Sequence, residues 1–250
     1  MEWTNDTELF RLMRERLFTA IIGDVLDLHG YRDQFLPPEC RPLRPNMIVC
    51  GRAMTVHEMD VDEPTDPPFG LMLKALDSLQ QNEVYVAAGA SPQYALWGEL
   101  MSTAARARGA AGAVMAGYTR DANGILAMDF PVFGYGSYAQ DQRGRGKVVD
   151  FRATLNIGSI TIRPGDIVFG DIDGGSSTGN GNGGRSSGTG TGQGGENRQA
   201  AAARRRVRRK RLHANWSAVV RQWRDHPRGK DTGVRRPLPV DPSATFSFPA

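Results

Sequence analysis

The sequence predicts an α/β fold, and three observations carry that expectation. Apolar residues at helical spacing alternate with short strand-like runs across most of residues 8–170. One helix–turn–strand unit reads directly between Gly98 and Thr119. The chain has 250 residues, of which 40% are hydrophobic, enough for a sizeable core.

The elements follow in order. Residues 8–17 form an amphipathic helix with Leu9, Phe10, Met13 and Leu17 on one side. Residues 20–28 form a second helix, ended near Gly30. Residues 47–57 are strand-like, and Gly51 within them marks a bulge. Residues 60–68 are acidic and proline-bearing and read as a loop, followed by a helix over 70–79 and a strand over 84–87. A helix over 99–108 is closed by Gly109 in the left-handed conformation, and 113–115 is a short buried strand. The loop 117–121 follows it. Residues 121–128 form a short helix, 131–133 a strand, and 148–170 further strands around an Arg163-Pro164-Gly165-Asp166 turn.

The chemistry concentrates at Gly98-Glu99-Leu100-Met101 and at Arg120-Asp121, with residues 100–119 between Glu99 and Arg120. In open α/β folds ligands bind at the carboxyl ends of strands, so this spacing lets one helix start and one Arg-Asp pair face a common pocket. The helix N-terminus offers unpaired N–H groups, those of Leu100 and Met101 among them, and a positive partial charge suited to a carboxylate or phosphate. Arg120 adds a planar donor fork for a carboxylate or enolate oxygen. Asp121 supplies a hard oxygen suited to Mg²⁺, which takes one or two protein carboxylates and keeps several waters. Glu99 is a second acid at the same place. The plainer alternatives are a solvated Arg-Asp pair and a Glu99 that only answers the helix dipole.

The stretch GELMSTAARARGAAGAVMAGYTRDANGI resembles the family of 4-hydroxy-4-methyl-2-oxoglutarate aldolases and oxaloacetate decarboxylases. That family also contains the regulator of ribonuclease activity A. Its aldolases are marked by an acid, twenty residues and then Arg-Asp, which Glu99 and Arg120-Asp121 reproduce. The regulator branch lacks the acid. Residues 17–56, 130–151 and 162–174 resemble other parts of the family, so the similarity covers roughly residues 8–174.

The resemblance implies a compact β/β/α swivelling-domain (RraA-like) core, assembled as a homotrimer or homohexamer with sites between subunits. It implies a cytoplasmic lyase that uses Mg²⁺ (or Mn²⁺) to cleave small 2-oxo dicarboxylic acids to pyruvate. The substrates implied are 4-hydroxy-4-methyl-2-oxoglutarate, 4-carboxy-4-hydroxy-2-oxoadipate and oxaloacetate. Arg120, Asp121 and Glu99 would be catalytic, with Asp121 holding the metal. Gly98, Glu99, Leu100, Met101 and Arg120 would bind substrate. Glu99 would orient water or move protons. In some family aldolases an acid from the neighbouring subunit's C-terminal region completes the site. The alternative functions are a non-catalytic ribonuclease regulator and an enzyme inactivated by loss of that region.

Charge divides the chain. Residues 1–173 carry 16 basic and 23 acidic side chains, a net −7, whereas residues 174–250 carry 15 and 4, a net +11. The expected domains are therefore 1–174, the RraA-like domain, and 175–250, a disordered Gly-rich and Arg-rich C-terminal tail. Two readings of the tail stand. It is an out-of-frame product of GC-rich DNA, or a basic arm, the only part of the chain expected to meet nucleic acid. No apolar run reaches transmembrane length and no signal peptide is recognisable, so no membrane partner is expected. Cys40 and Cys50 read as two thiols rather than a disulfide, and His29 and His57 as packing or surface residues.

Overall fold

The structure is a computed structural model that describes residues 3–179. Its helices are α1 (Asp6–Arg16), α2 (Thr19–Leu28), α3 (Met72–Asp77), α4 (Glu99–Ala107) and α5 (Ala122–Met128). Its strands are β1 (Arg41–Pro42), β2 (Val49–Asp60), β3 (Glu83–Ala88), β4 (Ala95–Trp97), β5 (Gly112–Met115), β6 (Tyr118–Thr119), β7 (Val132–Gly134), β8 (Gly146–Phe151), β9 (Leu155–Ile157), β10 (Ile160–Ile162), β11 (Ile167–Asp171) and β12 (Gly174–Ser177).

Four parallel strands in the order β7-β5-β3-β2 form the centre of the main sheet. Antiparallel β1 lies beyond β7. The first half of β2 pairs antiparallel with β11 and its second half with β8, while β12 extends the sheet from β11. β1 approaches β11 and β12, so the sheet curls until it is nearly closed. A β9-β10 hairpin and a small parallel β4-β6 pair complete the described residues.

The central strands read as continuous apolar runs because both faces are covered. Met54, Val56, Tyr85, Ala87, Ala113 and Met115 face one core, with Leu76, Ala105, Ile125 and Trp97 from the helical side. Ala53, Val84, Val86 and Val114 face the other, packed against Leu155, Ile157, Ile160 and Ile162 of the hairpin. The α/β expectation is met.

Several local expectations change. α1 starts two residues earlier than its apolar period because the Asn5 side chain accepts the Glu8 N–H at 3.0 Å. α2 has no cap of its own. The Asp171 carboxylate instead accepts both Thr19 N at 2.9 Å and Thr19 Oγ1 at 2.7 Å. Gly51 is not a bulge: it sits in register opposite Val168, and the irregularity of β2 falls between His57 and Glu58. A Cβ at Gly51 would overlap the Asn82 carbonyl, which explains the glycine. The loop 117–121 contains β6, and β4, β1 and β12 are strands that the apolar pattern does not mark.

β12 also corrects the expectation that nothing after residue 174 joins the core. Gly175, Ser176 and Ser177 pair with Gly170, Phe169 and Val168. The rest of the expected basic tail, from residue 180 onward, lies outside the described residues. No helix among the described residues is long and apolar enough to cross a membrane.

Candidate active site

The small β4-β6 pair brings the two halves of the motif together. β4 runs into the N-terminus of α4 at Gly98, and β6 runs into Arg120-Asp121. Arg120 N donates to the Trp97 carbonyl at 2.8 Å, and Thr119 Oγ1 donates to the same carbonyl at 3.1 Å. The turn beneath is built from buried polar groups. Trp97 Nε1 donates to Ser102 Oγ at 2.7 Å, and Ser102 Oγ donates to the Gly98 carbonyl at 3.1 Å. Trp97 is 1% exposed and packs against Tyr85 and Phe130, which fixes the strand end from which α4 departs.

Glu99, Arg120 and Asp121 meet at this point. Asp121 Oδ2 accepts the Glu99 N–H at 3.3 Å, so Asp121 caps a helix that begins 22 residues before it. Arg120 Nε donates to Asp121 Oδ1 at 3.2 Å, and each of the two side chains is 37% exposed. Asp121 adopts the left-handed conformation, φ 58° and ψ 37°, where the chain turns from β6 into α5.

Two glycines leave room for the acids. A Cβ at Gly98 would stand 2.7 Å from Asp121 Oδ2, and one at Gly124 would overlap the Glu99 carboxylate. Gly98 is extended at φ −155°, so space rather than backbone strain is what requires glycine there. The Leu100 side chain is 84% exposed, and Met101 packs against the core below. Both residues lie in the first turn of α4, whose backbone N–H groups have no partner within the helix.

One neighbour was not visible in the spacing. Arg120 Nη1 pairs with Asp141 Oδ1 at 2.9 Å, so the guanidinium is held between two carboxylates. Asp121 first, and then Asp141, keep its pKa above the ordinary arginine value. The next residue, Gln142, donates from Nε2 to Oε2 of Glu58 at 2.6 Å. Glu58 is 3% exposed, and burial pushes its carboxyl up to about 8. Glu58 Oε1 and the Tyr85 hydroxyl are both buried without a hydrogen-bond partner.

Among the described residues no group of three or more His, Cys, Asp and Glu side chains gathers as a metal cage. Glu99 and Asp121 offer hard oxygens at a partly open helix start, a donor set that suits a cation keeping most of its water. The cysteines lie elsewhere: both are buried unpaired thiols, pushed up to about 12 by desolvation. His57 Nε2 lies 2.8 Å from the Thr154 carbonyl and outside the site.

The aldolase/RraA family, described as RraA-like, matches residues 19–175. The chain belongs to that family. A Halalkalibacterium halodurans protein named "Putative 4-hydroxy-4-methyl-2-oxoglutarate aldolase" is 31% identical over 157 residues, 62% of this chain and 70% of that protein. Protein DlpA of Legionella pneumophila is 29% identical over 157 residues, and there the match spans 62% of this chain but only 25% of DlpA. In three dimensions the chain is similar to Streptomyces coelicolor RraAS2, described as an unusual member of the RNase ES inhibitor RraA family. The TM-score is 0.61 at 24% identity, over 70% of this chain and 87% of that one, a likeness of fold.

Proposed function

We propose that the chain is a divalent-metal-dependent carbon–carbon lyase that releases pyruvate from 2-oxo dicarboxylic acids, by aldol cleavage or by decarboxylation of oxaloacetate. The observation that carries the reading is the convergence of Glu99, Arg120 and Asp121 on the N-terminus of α4. The name of the Halalkalibacterium relative supports it.

Asp121, with Glu99 nearby, would hold Mg²⁺ or Mn²⁺, which when bound would supply Lewis-acid stabilisation of the enolate. The chain's own groups do the rest. The N–H groups of Leu100 and Met101 orient the substrate carboxylate. Arg120 holds the keto oxygen and opposes the negative charge that gathers there as the C3–C4 bond breaks. In aldol cleavage the Glu99 carboxylate takes the proton of the C4 hydroxyl, directly or through water. A proton then returns to C3 and gives pyruvate. Decarboxylation passes through the same enolate, so one site serves both reactions. A trimeric or hexameric assembly belongs to the same proposal.

The test is pyruvate release from oxaloacetate and from 4-hydroxy-4-methyl-2-oxoglutarate, followed above the spontaneous rate. Activity should need Mg²⁺ or Mn²⁺, vanish in excess EDTA and vanish in Asp121→Ala. Full activity in EDTA would overturn the metal. No release from either substrate would favour a non-catalytic binding protein or an inactivated enzyme.

A further inference from the structure

The geometry points to Asp141 as the positioning residue for Arg120: it holds the guanidinium in place so that Asp121 is available to another ligand. The inference rests on the reading of Arg120 and Asp121 as the substrate- and metal-facing pair.

Asp121 carries two contacts in this structure, to Arg120 Nε at 3.2 Å and to Glu99 N at 3.3 Å. A carboxylate that turns toward a cation loosens such contacts. If Asp121 were the only partner of Arg120, binding the metal would release the residue that must face the enolate. Asp141 removes that conflict. Its contact with Nη1, at 2.9 Å, is shorter than the Asp121 contact and uses a different nitrogen. The Asp121 hydrogen bond uses Nε and the Asp141 ion pair lies at Nη1, so neither contact involves Nη2.

Asp141 can anchor Arg120 because its own segment is pinned on both sides. Before it, Tyr138 N donates to the Thr119 carbonyl at 2.8 Å, and Ala95 N donates to the Gln140 carbonyl at 2.8 Å. These bonds tie residues 138–140 to β6 and β4, the two strands that carry the motif. After it, Gln142 is 3% exposed and bonded to the buried Glu58, and its carbonyl accepts from Arg145 N and Gly146 N at 2.9 and 3.0 Å. The loop is therefore footed on the main sheet through β2, while its exposed edge presents Asp141 to Arg120. A carboxylate serving only as a solvated ion pair would need neither tether.

The experiment uses the full-length protein and two readouts. The first needs no substrate: the rate at which phenylglyoxal modifies Arg120, followed by mass spectrometry of its peptide. Phenylglyoxal attacks the guanidine more readily when carboxylates no longer hold and charge it. Asp141→Asn and Asp141→Ser should each be modified several-fold faster at Arg120 than the wild type, and Asp24→Asn, on the exposed face of α2, should match the wild type. The second readout is kinetic. Asp141→Asn should lower kcat for pyruvate release by about tenfold or more with little change in KM, and Asp141→Glu should restore part of it.

Equal modification rates in the wild type and both Asp141 variants would overturn the inference. So would a fall in melting temperature that accounts for the whole kinetic loss. If the wild type releases no pyruvate, the proposed reaction fails, and the modification rates alone decide whether Asp141 anchors Arg120.

Discussion

Replacing Glu58 by glutamine should make the protein more stable at neutral pH, with a gain that grows as the pH rises toward about 8. Glu58 sits on β2 just after its irregularity and is 3% exposed, with Oε2 on Gln142 and Oε1 unpartnered. The surrounding groups do not compensate a charge there. Tyr85 on β3 is buried, and Tyr94 already donates to Asp60 Oδ1 at 2.7 Å. Burial raises the Glu58 carboxyl from the ordinary 4.5 to about 8. The folded protein thus keeps a proton that the unfolded chain gives up above 4.5. Stability falls with rising pH across the interval from 4.5 to about 8 and levels off above it. At about 1.4 kcal/mol per pKa unit the full loss is about 5 kcal/mol, an upper bound because protein and water relax around a buried charge.

Glutamine has the shape of the protonated acid and can accept from Gln142, but it cannot ionise. Its amide adds a pH-independent offset of about 1 kcal/mol if it lacks a partner. The useful quantity is therefore the difference between variant and wild type, in which every other titrating group cancels. Urea denaturation of both proteins from pH 5 to pH 9 should give curves that diverge by at least about 2 kcal/mol. Parallel curves across that range would show that Glu58 titrates as an ordinary surface carboxyl and would refute the reasoning.

Arg120→Lys should lose about tenfold to a hundredfold in kcat, because a point charge cannot serve two carboxylates and the substrate together. An unchanged kcat in steady-state assays would limit Arg120 to binding. Gly98→Ala should fold normally but bind Mn²⁺ poorly in electron paramagnetic resonance titrations, since its Cβ would stand 2.7 Å from Asp121 Oδ2. Undiminished binding would show that Asp121 shifts at no cost. Asp171→Ala removes the cap of α2 and leaves the buried Thr19 hydroxyl on the weaker 3.3 Å contact to the Gly174 carbonyl. It should cost about 1–3 kcal/mol in denaturant unfolding, and a smaller loss would mean that water replaces the cap.

By itself, the sequence determined whatever depends on neighbours along the chain. Apolar periodicity located the helices to within a few residues, because a helix face and a buried strand each impose a fixed spacing on successive side chains. The separation of Glu99 from Arg120 was enough to bring Gly98, Glu99, Arg120 and Asp121 to one point, because one helix and one strand return the chain to the edge it left. Two-residue strands such as β1 and β6 carry too few residues to show a period, and the glycine- and serine-rich β12 carries no apolar alternation. The tertiary structure alone decided the partners. Asp171 caps α2 across 152 residues, and Gln142 reaches Glu58 across 84. Asp141 becomes the second anchor of Arg120 only where β4, β6 and the loop after β7 pack together. The strength of each contact depends on burial and on donor geometry in three dimensions, and neither is a function of position along the chain.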